Sequence, residues 1–170
     1  LLTGGDPLIL STRRIQSILE QLKEINHVQI VRFGSKMPVF NPMRIYEDLD
    51  LLNVFKNFNK CGKSIYVVTH INHPREITPE AIQCFQALQD NGVYMVNQTP
   101  ILQGINDNAA ILSELLDRLS WAGVTPYYFF VNRPVIGNSE FILSLKKLYQ
   151  LVEEAKIKTS GLRKRVKLVN

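Results

Sequence analysis

The chain has few cysteines and no long hydrophobic segment. No apolar run approaches the roughly 20 residues that a helix needs to cross a bilayer, and no signal-peptide pattern precedes the first predicted strand, so we expect a cytoplasmic protein. Only two of its 170 residues are cysteines, Cys61 and Cys84, and they lie far apart in the sequence. We therefore expect reduced thiols and no metal site formed by this chain.

Several signatures of common enzyme classes are also missing. No G-x-G-x-x-G motif follows the first strand, which argues against a dinucleotide-binding fold, and the chain has no P-loop, Ser/His/Asp triad or hydrolase carboxylate pair. His70 and His73 have the spacing H-x-x-H, but they follow a predicted strand and no third ligand is evident. Hydrogen bonding or packing is therefore favoured over metal binding for these two histidines.

The net charge of +5 arises mainly from a basic stretch near the C-terminus. Its cations are Lys156, Lys158, Arg163, Lys164, Arg165 and Lys167. Such a stretch can bind the phosphates of nucleic acid or of a cofactor, but a solvated surface is the simpler interpretation. Nucleic acid is not the partner that we expect.

Predicted strands and helices alternate along the whole chain. The predicted strands are residues 1–3, 27–33, 64–69, 93–96, 124–131 and 165–169, and the predicted helices begin at Ser11, Asn41-Pro42, Thr78-Pro79, Asn106 or Asp107, and Asn138 or Ser139. Strands joined by crossover helices predict a single α/β domain with a parallel sheet. The pattern alone leaves open whether this sheet is doubly wound or part of a barrel.

Polar or glycine-rich segments mark the predicted ends of four strands. They are residues 3–8 (Thr-Gly-Gly-Asp-Pro-Leu), 69–74 (Thr-His-Ile-Asn-His-Pro), 97–100 (Asn-Gln-Thr-Pro) and 127–130 (Tyr-Tyr-Phe-Phe). Because the carboxyl ends of parallel strands open onto one face, where ligands bind, the four segments predict one site. Gly-Gly-Asp suits a ligand amine or hydroxyl, although it is also common in plain turns. Asn97-Gln98 is predicted to direct one amide to the core and the next to the ligand.

Together these segments resemble the lysine 2,3-aminomutase family of radical S-adenosylmethionine enzymes. The family has Leu-Leu-Ser/Thr-Gly-Gly-Asp-Pro-Leu after its second barrel strand, as in residues 1–8, and Thr-His-x-Asn-His-Pro-x-Glu-Ile-Thr-Pro-Glu, as in residues 69–80. Residues 97–98, 104–107, 126–128 and 159–162 also match, in the same order. The resemblance covers nearly the whole chain and implies a partial (β/α) barrel.

The resemblance also implies three cofactors in the parent protein. In this family a [4Fe-4S] cluster reductively cleaves S-adenosylmethionine to a 5′-deoxyadenosyl radical, which abstracts a substrate hydrogen, and pyridoxal phosphate carries the migrating amino group. By this resemblance Gly4, Gly5 and Asp6 bind the methionyl amino group of S-adenosylmethionine. His70 and Gln98 are expected to be further contacts with the same cofactor.

Two family elements are expected outside the chain. The cluster-binding C-x3-C-x2-C motif is expected before residue 1, and the lysine that binds pyridoxal phosphate after residue 170. The chain opens within its first motif and without a methionine, so we expect a central fragment of a longer enzyme. No catalytic residue is assigned within it, and we expect the fragment alone to be inactive.

The predicted substrate pocket departs from that of the lysine enzymes. Arg133 and Asn170 stand where those enzymes have carboxylates for the distal ammonium of lysine. A guanidinium repels an ammonium and binds a carboxylate, and the glutamate 2,3-aminomutases similarly have a basic residue and an amide there. The resemblance thus implies an acidic amino acid as substrate. The alternative is that Arg133 belongs to a diverged surface loop and that Asn170 is misaligned.

Three functions remain open from the sequence. The first is an aminomutase-like isomerase whose partner is a small-molecule amino-acid substrate, with a homo-oligomeric parent left open. The second is a related radical enzyme without pyridoxal phosphate, because residues 129–131 (Phe-Phe-Val) lack polar groups that the lysine enzymes have. The third is a noncatalytic α/β domain whose basic stretch binds nucleic acid or a protein. Ligand-type residues at successive strand ends favour an enzyme.

Overall fold

The structure, a computed structural model, describes residues 1–169 apart from the side chain of Leu162. Asn170, one of the two predicted substrate contacts, lies outside the described residues. Five parallel strands form one sheet: β1 (Ile30–Ser35), β2 (Ser64–Thr69), β3 (Tyr94–Ile101), β4 (Thr125–Val131) and β5 (Lys167–Val169).

Helices connect the strands. They are α1 (Thr12–Lys23), α2 (Met37–Phe40), α3 (Met43–Tyr46), α4 (Leu49–Asn59), α5 (Pro79–Asp90), α6 (Ala109–Trp121) and α7 (Leu145–Ile157). Short 3₁₀ turns cover Pro7–Ile9, Pro74–Glu76, Ser139–Phe141 and Gly161–Arg165. Within residues 1–169, no helix is long and apolar enough to span a membrane.

Each strand pairs with its neighbours in sequence, in the order β1-β2-β3-β4-β5. A doubly wound sheet reverses its strand order at a switch point, whereas this order never reverses. Of the two architectures that the sequence left open, the strand order therefore excludes the doubly wound sheet and favours part of a barrel. The predicted α/β class is confirmed, and the order is consistent with a partial (β/α) barrel.

The described residues divide into two compact units. The first comprises Leu1–His70 and Thr78–Val96. In it, β1 pairs with β2 in parallel from Ile30 with Ser64 to Ser35 with Thr69. Its buried side chains include Ile15, Phe33, Ile45, Phe55, Ile65, Val67, Phe85 and Leu88. Burial of these apolar groups is the main source of stability in this unit.

The second unit comprises Ile71–Ile77 and the chain from Asn97 onward. In it, β4 pairs with β5 in parallel from Tyr128 with Lys167 to Phe130 with Val169. Its core is formed by Ile101, Ala109, Leu112, Leu116, Phe129, Leu143, Leu148, Val152, Ala155 and Val166. Phe129 therefore faces the core, and packing in the core is sufficient to explain an apolar residue at this position.

Two of the four segments predicted at strand ends lie inside strands. Residues 97–100 belong to β3, and residues 127–130 belong to β4. The prediction of a strand that ends at Val96 was wrong because Asn97 and Thr99 form side-chain hydrogen bonds that allow them to be buried within a strand.

Two predicted helix starts were also wrong, and one predicted helix is divided. The helix expected from Asn41-Pro42 is divided into α3 and α4, and Leu49 is 68% exposed at the start of α4 instead of buried. The cap of α6 is Asn108, where Asn106 or Asp107 was expected. The cap of α7 is Ser144, where Asn138 or Ser139 was expected.

The N-terminal end of the chain also differs from the prediction. Residues 1–3 form only one parallel bridge, between Leu2 and Phe33, where a strand was expected. The first helix ends at Lys23, so Ile25 lies beyond it and is exposed.

Candidate functional site

The Gly-Gly pair follows the bridge between Leu2 and Phe33. Gly4 has a φ of +100° and Gly5 a φ of +138°, which residues with a side chain rarely adopt. No heavy atom lies within 4 Å of the position that a Cβ would take at either residue. The backbone conformation therefore requires glycine here, whereas close packing does not.

The carboxylate of Asp6 accepts four hydrogen bonds from the protein. Oδ1 accepts from the Leu8 amide at 3.0 Å and from the Ser35 hydroxyl at 2.7 Å. Oδ2 accepts from the amides of Lys36 at 2.7 Å and Met37 at 3.2 Å. The side chain thus caps the first 3₁₀ turn and also holds the end of β1.

Unlike the carboxylate of Asp6, the backbone of the two glycines has no hydrogen-bond partner in the described part of the chain. Within residues 1–169, the backbone N–H and C=O groups of Gly4 and Gly5 form no hydrogen bond, and both residues are exposed. Asp6 was predicted to bind a ligand amine, yet its own acceptor positions are filled by protein donors. The groups that this segment can offer to a ligand are therefore the main-chain oxygens and amides of the two glycines.

Lys36 is a site residue that the sequence analysis missed. Its amide is bound by Asp6, and its ammonium donates to the His70 carbonyl oxygen at 2.9 Å. His70 follows β2 and is exposed, as predicted for a residue at a strand end. Within the first unit, these contacts connect the Gly-Gly-Asp segment with the ends of β1 and β2. The available signal was Gly34-Ser35-Lys36, a glycine and two polar residues directly after the strand predicted at residues 27–33.

In the second unit, Asn97 holds the segment that follows β2. Its Oδ1 accepts from the Ile71 amide at 2.9 Å, and its Nδ2 donates to the Ile71 carbonyl at 3.1 Å. Nδ2 also donates to Thr99 Oγ1 at 2.8 Å, and the Thr99 hydroxyl donates to the Ile71 carbonyl at 2.7 Å. Asn97 is 1% exposed, so this amide has a structural role.

Gln98 is oriented differently from Asn97. It is only partly buried, and its side chain forms no hydrogen bond within residues 1–169. Successive side chains on a strand point to opposite faces, which accounts for the difference. The structure thus agrees with the expected alternation, and Gln98 is the amide that remains available to a ligand.

His73 takes part in the hydrogen bonds of a 3₁₀ turn. His73 Nδ1 accepts from the Arg75 amide at 3.1 Å, and Glu76 Oε1 accepts from the amides of Asn72 at 2.8 Å and His73 at 3.0 Å. These bonds cap the 3₁₀ turn at Pro74–Glu76. In the described part of the chain, no three His, Cys, Asp or Glu side chains are grouped as metal ligands.

Arg133 lies two residues beyond β4, in an exposed loop. Its guanidinium has no ion pair or hydrogen bond within the described residues, and its carbonyl oxygen accepts from Asn138 Nδ2 at 3.0 Å. The structure therefore leaves the cation available to an anionic partner.

The cysteines do not fit an iron–sulfur cluster. Both thiols are free, with Cys61 exposed and Cys84 buried. Burial raises the pKa of the Cys84 thiol to about 12, so this group stays protonated at neutral pH and is a poor metal ligand. The residues of this chain that the structure describes do not supply the three thiolates that a family cluster requires.

One of two surface clefts adjoins a predicted site segment. A cleft of about 240 Å³ adjoins the Gly-Gly-Asp segment and is otherwise lined mainly by apolar side chains, including Ile15, Ile18 and Phe33. A cleft of about 970 Å³ lies between α7 and β5 and contains none of the predicted site residues. Among the described residues, the smaller cleft has no charged lining residue besides Asp6, whereas the larger one is lined by Lys146, Glu153, Lys156 and Lys167.

Comparison with known proteins identifies relatives along the whole chain. No family model matches. A protein of Aquifex aeolicus, provisionally named an L-lysine 2,3-aminomutase, is 48% identical over 170 residues, which are 99% of this chain and 46% of that protein. The L-lysine 2,3-aminomutase of Fusobacterium nucleatum is 38% identical over 95% of this chain and 36% of its own length.

A relative with a different substrate in its name is almost equally similar. The glutamate 2,3-aminomutase of Clostridioides difficile is 37% identical over 95% of this chain and 37% of its own length. The chain thus spans between about a third and a half of the length of these relatives. These matches confirm the predicted resemblance: over nearly its entire length, the chain is a relative of the lysine 2,3-aminomutase family.

Proposed function

We propose that this chain is part of an amino-acid 2,3-aminomutase, an isomerase that uses S-adenosylmethionine. The observation that carries the proposal is the Gly-Gly-Asp segment, whose glycine backbone is exposed and unbonded while Asp6 holds it to the end of β1. The similarity to relatives named as aminomutases supports the same function.

In the first unit, the carbonyl oxygens of Gly4 and Gly5 are suited to bind the amino group of S-adenosylmethionine. An ammonium needs acceptors, and the exposed carbonyl oxygens of Gly4 and Gly5 are acceptors beside the negative charge of Asp6. We propose that these oxygens bind the ammonium and that His70 is a further contact with the cofactor. We propose Gln98 as a separate contact with S-adenosylmethionine, which the Gln98→Ala variant tests.

S-adenosylmethionine supplies hydrogen abstraction when it is bound in enzymes of this family. The chain's own residues have the simpler tasks of binding and orienting it, which can account for a large part of an enzyme's rate. The described residues do not fit the iron–sulfur cluster, and no site for pyridoxal phosphate is assigned among them. We therefore propose that both cofactors belong to the parent protein and that the isolated chain is inactive. Turnover by these 170 residues alone contradicts this.

The substrate proposal rests on Arg133. Its exposed and unpaired guanidinium can form a charge-assisted bond with the side-chain carboxylate of an acidic amino acid, whereas it repels the ammonium of lysine. Overall identity does not decide the substrate, because relatives named for lysine and for glutamate are 38% and 37% identical. We propose glutamate as the substrate to test first.

The basic stretch gives no support to a nucleic-acid function. Arg163 forms an ion pair with Asp117, and Lys156 pairs with Glu153 at 2.9 Å. Part of the positive charge is therefore neutralised within the protein, which weakens attraction to phosphate.

The first experiment assays the full-length protein that contains this chain. It is purified without oxygen, supplied with iron, sulfide, pyridoxal phosphate, S-adenosylmethionine and a reductant, and given L-glutamate or L-lysine. We expect glutamate to be converted to its 3-amino isomer faster than lysine. Faster conversion of lysine contradicts only the substrate, whereas no conversion of either amino acid contradicts the function.

A second experiment tests the cofactor contact without relying on turnover. Gly5→Ala should weaken S-adenosylmethionine binding, measured by calorimetry, by about tenfold or more, because it disturbs the acceptors of a charged group. Gly62→Ala is the matched control, since Gly62 also has a positive φ of +80° and open space around it, but lies outside the motif. Equal affinities of the two variants contradict the assigned contact.

A further inference from the structure

Asn138 closes the loop that carries Arg133. Its Nδ2 donates to Asn132 Oδ1 at 3.2 Å and to the Arg133 carbonyl at 3.0 Å. Its Oδ1 accepts from the Val135 amide at 2.8 Å, and its own amide donates to the Val135 carbonyl at 3.1 Å. One side chain therefore binds three other residues of the same loop.

The rest of this loop has little else to fix it. Residues 133–137 are all exposed, and the apolar side chain of Ile136 is fully exposed, so it does not anchor the loop by burial. No regular secondary structure is present between β4 and the 3₁₀ turn at Ser139–Phe141. The side-chain amide of Asn138 thus supplies most of the hydrogen bonds that order the backbone on both sides of Arg133.

The order of this backbone matters for a long cationic side chain. Arginine has many rotamers, and a contact with a carboxylate is weakened by the entropy of holding both the side chain and its loop in one geometry. A loop that is already ordered removes part of that cost. The hydrogen bond from Asn138 Nδ2 to the Arg133 carbonyl fixes the backbone of Arg133 itself and thereby the direction in which its side chain leaves the loop.

We infer that Asn138 is a positioning residue for Arg133 and thereby determines the preference for an acidic substrate. The inference rests on the proposed function, since it requires that Arg133 binds the substrate carboxylate. Asn138 acts only through the loop and has no direct contact with substrate in this role. The sequence suggested a helix cap at Asn138. The residue precedes the 3₁₀ turn at Ser139–Phe141, but its side chain forms no capping hydrogen bond there and instead binds Asn132, Arg133 and Val135.

The test measures KM and kcat of the full-length enzyme for glutamate and for lysine. For Asn138→Ala we expect the KM for glutamate to rise about tenfold with kcat nearly unchanged, because binding is weakened equally in the ground and transition states. The KM for lysine should not rise. Ser139→Ala, an exposed neighbour in the same segment, is the control and should leave both constants unchanged.

Hydrogen exchange gives a readout that does not depend on turnover. In Asn138→Ala the amide of Val135 loses its acceptor and should exchange faster than in the wild type. Asn138→Asp retains an acceptor for this amide but cannot donate to Asn132 or to the Arg133 carbonyl. It should therefore keep slow exchange at Val135 while the KM for glutamate still rises.

The outcomes separate the two proposals. If Arg133→Ala removes the preference for glutamate but Asn138→Ala leaves the KM unchanged while Val135 exchanges faster, the positioning role is wrong and the substrate assignment stands. If Arg133→Ala also leaves the preference unchanged, the substrate assignment fails and the positioning role fails with it. A rise of KM for glutamate and lysine alike shows general damage to the site and likewise overturns the inference.

Discussion

The Oδ2 atom of Asp6 accepts the main-chain N–H of Lys36 at 2.7 Å, across 30 residues of sequence. This bond joins the Gly-Gly-Asp segment to the end of β1. Lys36 in turn donates from its ammonium to the His70 carbonyl, which lies just beyond β2. A carboxylate that the sequence suggests as a ligand thus has a structural role, and the proposed ligand contact moves to the neighbouring glycine backbone.

The role of Asp6 can be measured as stability. Asp6→Ala removes the acceptor of four hydrogen bonds and should lower the free energy of unfolding by about 2 to 5 kcal/mol, measured by denaturant titration. Asp6→Asn should lose about half of this, because its amide nitrogen cannot accept the hydrogen bonds now made to one oxygen. Glu154→Ala, at an exposed position of α7, is the control. A loss for Asp6→Ala that equals the control value contradicts the structural role.

A second carboxylate makes the stability of the first unit depend on pH. Burial raises the pKa of Asp48, but hydrogen bonds from Thr12, the Leu51 amide and Arg44 outweigh it, so the pKa lies below its usual value of 3.8. A lowered pKa stabilises the folded state above the usual value, and this contribution is lost as the pH falls through the folded value. We expect unfolding free energies of wild type and Asp48→Asn to differ at pH 7 and to converge below about pH 4. Curves that remain parallel down to pH 2 contradict this.

The alternation of strands and helices could be predicted because it depends on local patterns. β2 was predicted with its observed bounds, Ser64–Thr69, and α5 begins after Thr78 as its Thr-Pro sequence indicates. In both places the residues that decide the structure are neighbours in sequence, so hydrophobic periodicity and capping rules apply directly.

Two asparagines show why the rest could not be predicted. Asn97 was expected at a strand end and Asn106 at a helix start, where such residues are common. Asn97 instead binds Ile71, and Asn106 Nδ2 donates to the carbonyl oxygens of Asn72 at 2.8 Å and Pro100 at 3.0 Å. The local sequence of an asparagine is the same whether it caps a helix or binds a distant segment. The choice depends on a partner that only the folded chain brings close.

The two cysteines should differ strongly in reactivity. Cys61 is exposed, whereas Cys84 is buried in α5 and burial raises its pKa to about 12, so Cys61 has the accessible thiol. Iodoacetamide at pH 8 should therefore label the native protein once, at Cys61, as located by peptide mass spectrometry. Labelling of Cys84 is expected only after unfolding in denaturant. Rapid modification of Cys84 in the native protein contradicts its burial.

Asn97 and Gln98 form a matched pair for separating structure from binding. Asn97→Ala removes three hydrogen bonds from a side chain that is 1% exposed and leaves both main-chain groups of Ile71 without this partner. It should lower the free energy of unfolding by about 2 to 4 kcal/mol.

Gln98→Ala should change the stability by less than about 0.5 kcal/mol, because this side chain forms no hydrogen bond within residues 1–169. If Gln98 contacts S-adenosylmethionine as proposed, the same variant should weaken binding of this cofactor to the full-length protein by about tenfold in calorimetry. The pair thus predicts opposite profiles: a stability loss at Asn97 and an affinity loss at Gln98. Unchanged affinity in Gln98→Ala removes Gln98 from the cofactor site without affecting the assignment of Gly4 and Gly5, whose contact is tested independently by Gly5→Ala.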